Sequence, residues 1–319
     1  MGSHRNNVDD EGRGVHIVVV PSPAQGHINP LLQFSKHLAA RPGLTLTFPT
    51  IFTDAAAVHL PATIPSLTLQ QVPVSPYDGT KPETPIGFWE RTQTSFRLHI
   101  VELISRHESD GDRVACVVFL TDQFLHLNNA DWIFINTFDS LEPQEAEWMG
   151  QQLPFKSIGP MLPSIYLDGR LQDDTCYGLS LLESNMDSTM NWLHYKHNAS
   201  VVYVSFGSLA EAIMEQIEEL AMALKLSNRF FLWVVRESEI HKLPPNFIED
   251  TSEKGLVVNW CPQLQVLGHK SVGCFITHCG WNSMLEALSL GVPLVAMAQW
   301  SDQLTNASMW KMYGRLGRG

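Results

Sequence analysis

Apolar runs of strand length, rich in β-branched residues, recur along this chain and constrain its fold more than any other feature. They lie at Val15 to Val20, Leu44 to Phe48, Leu67 to Val72, Val114 to Phe119 and Trp132 to Ile135, with helical patterns between several of them. Strands that are apolar throughout are buried on both faces, and their alternation with helices is the pattern of βαβ units on a parallel sheet. After Gly159 a stretch holding Pro160, Pro163, Asp168 and Gly169 loses periodicity, and residues 160–186 read as a linker. A second series follows. Its strands are expected at Val201 to Phe206, Phe230 to Val235, Leu256 to Val258, Gly273 to Thr277 and Pro293 to Ala296, with helices such as Ile213 to Leu226 and Trp281 to Leu290. The expected fold class is α/β, with two Rossmann-like domains (residues 15–159 and 187–319) facing each other across a cleft, behind a disordered tail of residues 1–14.

Composition narrows the partners. A chain of 319 residues with 44% hydrophobic and 17% charged residues can form two domains with cores of their own. Lys and Arg number 21 against 33 Asp and Glu, and the net charge of −12 argues against nucleic acid or an anionic membrane as a partner held by bulk charge. A small molecule is the expected partner, and a monomer the expected state. The apolar run at Val15 to Val20 is too short for a signal-peptide core or a membrane span, so the expected compartment is the cytosol, without stable membrane insertion. Five cysteines (Cys116, Cys176, Cys261, Cys274 and Cys279) form an odd, scattered set suited to reduced thiols. In that compartment the N-x-S sequons headed by Asn198 and Asn306 carry no sugar.

Most of the chemical information lies between Trp260 and Gln303, WCPQLQVLGHKSVGCFITHCGWNSMLEALSLGVPLVAMAQWSDQ. The strand Gly273 to Thr277 runs into His278-Cys279-Gly280 and a helix beginning near Trp281. Such a turn presents backbone N–H groups and the positive end of a helix dipole to an anion. Gly280 allows close approach, Asn282 and Ser283 add side-chain donors, and His278 stands ready to donate to a phosphate oxygen. Helical spacing puts Trp281, Leu285 and Leu288 on a packing stripe, and Asn282, Ser283 and Glu286 on a ligand-facing one. One turn deeper than the cradle, Glu286 is placed to accept the hydroxyls of a ribose. Trp260 and Gln263, on the preceding loop, offer a flat aromatic face and an amide for a base edge. Asp302 and Gln303 follow the next strand and suit sugar hydroxyls. Taken singly, Trp260 reads as core, His278 as structural and Glu286 as a solvated helix face; their combination at this spacing favours a ligand. Cys274, His278 and Cys279 fit no usual zinc spacing, so no metal is expected.

These residues carry a resemblance. Over 44 positions from Trp260 to Gln303, without gap or insertion, the chain resembles the signature box of the plant secondary-metabolite UDP-glycosyltransferases of family 1, inverting enzymes of GT-B fold. The resemblance implies UDP-glucose as donor substrate, with no cofactor and no metal. It implies that Trp260 and Gln263 hold uracil, Glu286 the ribose, His278, Asn282 and Ser283 the diphosphate, and Asp302 and Gln303 the sugar, Gln303 with a bias to glucose. Cys261, Gly280, Trp281 and Trp300 complete the implied donor set, and Ser205-Phe206-Gly207-Ser208 resembles the turn whose serine, here Ser208, approaches the phosphates. Ala298 stands where relatives often have proline.

In the first half, Val15 to Val20 runs into Pro21-Ser22-Pro23-Ala24-Gln25-Gly26-His27-Ile28-Asn29-Pro30 and then a helix. A histidine there projects over the carboxyl edge of the sheet, where open α/β folds keep their chemistry. Taken alone His27 is more often structural; the resemblance makes it the general base that deprotonates the acceptor. Relatives orient that base with a carboxylate just after a strand resembling Cys116-Val117-Val118-Phe119, whereas this chain has Leu120 there. Asp122 is the alternative carboxylate if the sheet re-registers. Only Leu120 to Asp131 separate that strand from the next, where relatives carry a further block, so the acceptor-binding domain is expected to be shortened after residue 119. The resemblance fades after Asn306, and the UDP-sugar-binding domain is expected to lack its C-terminal end, leaving both domains incomplete relative to the family. The segments Lys156 to Pro160 and Ser164 to Asp168 resemble the branch that often glucosylates carboxylic acids.

Three functions compete on the sequence. The first is an active small-molecule glucosyltransferase, and the second a truncated nucleotide-sugar-binding protein with little or no turnover. The third, a nicotinamide-dependent oxidoreductase, lacks a G-x-G-x-x-G after any expected strand.

Overall fold

The structure, a computed structural model, describes residues 15–21, 25–50, 64–72, scattered positions from 91 to 109, 113–118, 131–171, 173–178, 186–208, 210 and 212–313, with the backbone alone for 113–118 and 310–313. It divides into two compact units, one of Met1–Pro163 with Leu171–Leu181 and one of Ser164–Arg170 with Leu182–Gly319. The stretch expected to be a linker is thus shared between them. No helix among the described residues is long and apolar enough to cross a membrane.

In the first unit, β1 (Val15–Val20), β2 (Leu44–Thr50), β3 (Leu67–Gln71) and β4 (Arg113–Val118) form a parallel sheet in the order β3-β2-β1-β4. Alternate β1 side chains go to opposite faces, as strand geometry requires. Ile17 and Val19 pack under α1 (Gln25–Ala39) with its Ile28, Leu32 and Ala39, whereas Val18 and Val20 meet Val72 and Leu103. The chain leaves β1 toward β2 and β3, then returns to place β4 on the other side of β1. The carboxyl ends of β1 and β4 therefore mark a topological switch point. The strand expected from Trp132 starts one residue later: β5 (Ile133–Ile135) pairs with β6 (Phe155–Ser157) across α2 (Pro143–Gln152) rather than with β4, and Trp132 is exposed.

In the second unit, α3 (Met186–His194) leads into a parallel sheet of β7 (Val201–Ser205), β8 (Phe230–Val234), β9 (Gly255–Val258), β10 (Val272–Thr277) and β11 (Leu294–Ala296), in the order β11-β10-β7-β8-β9. The helices that follow α3 are α4 (Met214–Ser227), α5 (Phe247–Thr251), α6 (Gln263–Leu267), α7 (Trp281–Ser289) and α8 (Gln303–Tyr313). Both sheet faces are buried, which is why these strands read as unbroken apolar runs. Val201, Tyr203, Leu232, Val234 and Phe275 pack with α3, α6 and α7, while Val204, Phe231, Trp233 and Val235 pack with α4 and α5. Here the switch point lies between β7 and β10.

One buried ion pair fixes the first unit's outlying segment. Lys36 on α1 and Asp174 are both fully buried, with Lys36 Nζ 2.8 Å from Asp174 Oδ1 and donating also to the Cys176 carbonyl at 2.7 Å. Gln33 Nε2 donates to the second carboxylate oxygen. Removing one partner leaves a buried, uncompensated charge, which costs about 3–5 kcal/mol. Asp174→Ala is therefore expected to lower the first unit's unfolding free energy, measured by urea titration, by that amount, whereas a change within a few tenths of a kcal/mol would show that Lys36 reaches water.

Candidate functional site

The switch point of the second unit brings two turns side by side. Register pairing ends with Ser205 opposite Thr277, so the residues after β7 and after β10 leave the sheet as neighbours. After β10, Cys279 takes a left-handed φ of 65° and Gly280 becomes the N-cap of α7, where no side chain makes a capping bond. After β7, Gly207 has φ 74°. The His278 ring lies between these two glycines: a Cβ on Gly207 would come within 2.8 Å of it, and one on Gly280 within 2.5 Å of its Nε2. Side chains at either position would push the ring out of the turn, so the glycines are needed here for close approach.

Burial pushes the His278 imidazole down to about 4, opposed by its bond to the Ser205 backbone and the Asp302 carboxylate, while Arg236 lowers it further. A bond that opposes the lowering is what an imidazole N–H donating to a carbonyl gives. The neutral ring then offers its other nitrogen only as an acceptor, so donation to a phosphate requires a second proton, which a bound anion favours.

Glu286 and Ser283, expected to face ligand, are both buried on α7. Gln263 binds them together: its Nε2 donates to Glu286 Oε2 at 2.8 Å and to Ser283 Oγ at 2.9 Å. Its amide oxygen accepts from the Tyr203 hydroxyl at 3.4 Å, and that hydroxyl lies 3.6 Å from Cys261 Sγ. Gln263, Cys261, Ser283 and Glu286 are thus one assembly, with Gln263 heading α6 rather than a loop. Trp260, half-buried, packs against the adjoining core; Trp281 and Asn282 are half-buried in the first turn of α7.

Beyond β11, Asp302 and Trp300 are exposed and Gln303 is buried. The Gln303 amide oxygen accepts from the backbone N–H of Gln299 at 2.8 Å and of Trp300 at 3.1 Å, which fixes the orientation of its NH2 end. Asn306, which the sequence marks only as a sequon, is buried and donates to both Asp302 and the Cys279 carbonyl. Arg236 is a second residue without a sequence signal. Its guanidinium donates to the carbonyls of Ser208 at 2.7 Å and Ala210 at 2.6 Å and pairs with Glu239, so it holds the turn that carries Ser208.

In the first unit His27 sits in the first turn of α1, just past the carboxyl end of β1, rather than in the turn before the helix. Burial lowers its pKa from the ordinary value of 6.5. The expectations for Leu120, Asp122 and the rest of the segment after β4 lie outside the described residues, as do Ser22 to Ala24.

Comparison with known proteins decides the family. The family model described as UDP-glucoronosyl and UDP-glucosyl transferase matches residues 167–317, and a glycosyltransferase N-terminal domain model matches residues 13–131. Mogroside I-E synthase of Siraitia grosvenorii is 38% identical over 387 aligned positions, covering 95% of this chain and 85% of its own length. UDP-glycosyltransferase 74E2 of Arabidopsis thaliana is 35% identical, with 94% and 85% covered. The chain belongs to the family 1 UDP-glycosyltransferases. It is a hexosyltransferase that takes its sugar from a UDP-sugar and passes it to a small-molecule acceptor. Among solved structures of the GT-B fold, Os79 from O. sativa in complex with UDP superposes with a TM-score of 0.81 at 30% identity, covering 93% of this chain and 85% of that one. The alignment with the mogroside synthase runs over 387 positions although this chain has 319 residues, so within the matched span that relative carries residues which this chain lacks.

The titration of His278 is measurable. Between pH 6.5 and about 4 the unfolded chain binds a proton at this residue that the folded protein does not, so stability falls as the pH drops through that window. His27 and His269, also lowered by burial, add to the slope. Melting temperature followed across that range is expected to fall less steeply in His278→Gln; equal slopes would show that the buried ring is not held neutral.

Proposed function

We propose that the chain transfers glucose from UDP-glucose to a hydroxyl or carboxylate of a small molecule, with inversion at the anomeric carbon. The observation that carries this is the convergence, at the switch point of one sheet, of a helix N-terminus opened by Gly280 with a buried carboxylate, Glu286, one turn along the same helix. In this scheme Glu286, held by Gln263, accepts from the ribose, and Trp260 meets the base together with the Gln263 amide oxygen, which has a second lone pair beyond the Tyr203 bond. The α7 N-terminus with Asn282, Ser283, Ser208 and a protonated His278 receives the diphosphate. Cys261, Trp281 and Trp300 frame the site, and Asp302 with the Gln303 NH2 group binds glucose hydroxyls. Residues 15–159 supply the acceptor side and residues 187–319 the donor side. Os79 is known with UDP, and UGT2 of Phytolacca americana with UDP-2fluoro-glucose and pterostilbene, which supports a nucleotide-sugar donor and a small acceptor.

His27 acts as general base. Its lowered pKa keeps it neutral at pH 7, ready to take the acceptor proton as the acceptor oxygen bonds to the anomeric carbon and the bond to the diphosphate breaks. The charge of the departing UDP falls on the helix dipole, so no metal is needed. A carboxylate acceptor is already ionised and needs no base. We assign the protein to the cytosol as a monomer. The residues that the mogroside synthase carries and this chain lacks favour one second reading, a nucleotide-sugar-binding protein with little turnover.

Transfer from UDP-glucose to a panel of phenols and carboxylic acids separates the two. His27→Ala is expected to slow transfer to hydroxyls by about 10²–10⁴-fold while sparing carboxylates and leaving UDP affinity intact. The wild-type rate on hydroxyls should hold at pH 7 and fall only below about 6.5, as His27 gains its proton. An unchanged hydroxyl rate in His27→Ala would remove the assigned base, and no transfer to any acceptor would favour the binding protein.

A further inference from the structure

We infer that Asn306 is a positioning residue for sugar recognition: one NH2 group ties the carboxylate that meets the sugar to the turn that meets the diphosphate. Asn306 lies in the second turn of α8 and is 5% exposed. Its Nδ2 donates to Asp302 Oδ2 at 2.8 Å and to the Cys279 carbonyl at 2.9 Å. An amide NH2 has two hydrogens, and both are used. The Asp302 bond runs along α8, whose first turn is closed by the Asn306 N–H on the Asp302 carbonyl at 2.9 Å. The Cys279 bond crosses to the turn after β10, at the residue whose left-handed φ aims the peptide before Gly280.

Two consequences follow from that chemistry. The Asp302 side chain is otherwise exposed, and a solvated carboxylate rotates among its rotamers; the bond to Oδ2 holds it in one and leaves Oδ1 to accept from sugar hydroxyls. The Cys279 residue is fully buried, and Asn306 gives its carbonyl a partner there. The separation between sugar carboxylate and diphosphate turn is thereby set by a single side chain. The same bonds bury and engage the amide of the Asn306 sequon, which is closed to modification in the folded protein, whereas Asn198 is exposed.

The inference rests on Asp302 as a sugar ligand, and the test keeps the two apart. Calorimetry gives Kd for UDP and for UDP-glucose with the wild-type chain, Asp302→Ala, Asn306→Ala and the double variant. The ratio of the two constants reports what the sugar adds. Asn306→Ala is expected to shift that ratio against UDP-glucose by about tenfold, the worth of one hydrogen bond to a charged group, and the double variant to shift it no further than Asp302→Ala does. A parallel loss of both ligands with the ratio unchanged would make Asn306 merely structural and overturn the inference. An unchanged ratio in Asp302→Ala, or no binding of UDP by the wild-type chain, would remove the underlying assignment and the inference with it. Asn306→Ser, which keeps one donor, stands in if the alanine variant does not fold, and loss of folding in both would assign the residue to stability alone.

Discussion

The candidate site of the second unit depends on the parallel pairing of β7 with β10. These strands are remote in sequence, and their pairing makes Ser205 and Thr277 neighbours at the carboxyl edge of the sheet. The Gly207 turn, the His278-Cys279-Gly280 turn and the N-terminus of α7 all depart from that edge. Pairing alone is not sufficient, because the two turns also have to approach closely. The His278 ring fills the space that side chains at positions 207 and 280 would take, and its burial between them is what removes its charge. With the ring neutral, the dipole of α7 keeps its positive end at that edge.

Around that edge, polar groups are arranged in satisfied sets rather than as isolated donors. Gln263 spends its NH2 on Ser283 and Glu286 and accepts from Tyr203, so the Glu286 carboxylate is buried with a partner. Arg236 spends its guanidinium on two loop carbonyls and Glu239, and so fixes the Ser208 turn. Buried polar groups left without partners are costly, and these pairings hold the loops of the site in one geometry.

The sequence showed most of the strands of both sheets to within a residue or two, because a strand buried on both faces is apolar throughout and ends where turn residues begin. Helical spacing of three put Ser283 and Glu286 on one face of α7, but did not show that this face is buried against Gln263. Bonds between distant segments were not legible. Lys36 finds Asp174, Arg236 finds Ser208 and Asn306 finds Cys279 only because sheet order brings their segments together, and no periodicity encodes that. The two glutamines show a different limit. Residue type gave Gln263 and Gln303 donors and acceptors, but only the fold determines that the Gln303 oxygen is taken by the Gln299 and Trp300 backbone and both ends of Gln263 by its neighbours. The pairing of β5 with β6 instead of β4 likewise depends on how sheets assemble, which strand-length runs do not specify.

In the proposed scheme the turn after β10 and the carboxylate of α7 form a nucleotide-diphosphate site. Calorimetric titration of the purified, monodisperse chain with UDP, beside Glu286→Ala, is the decisive measurement. Saturable one-site binding is expected in the wild-type chain and its loss in Glu286→Ala. No binding, or equal affinity in the two proteins, would contradict it.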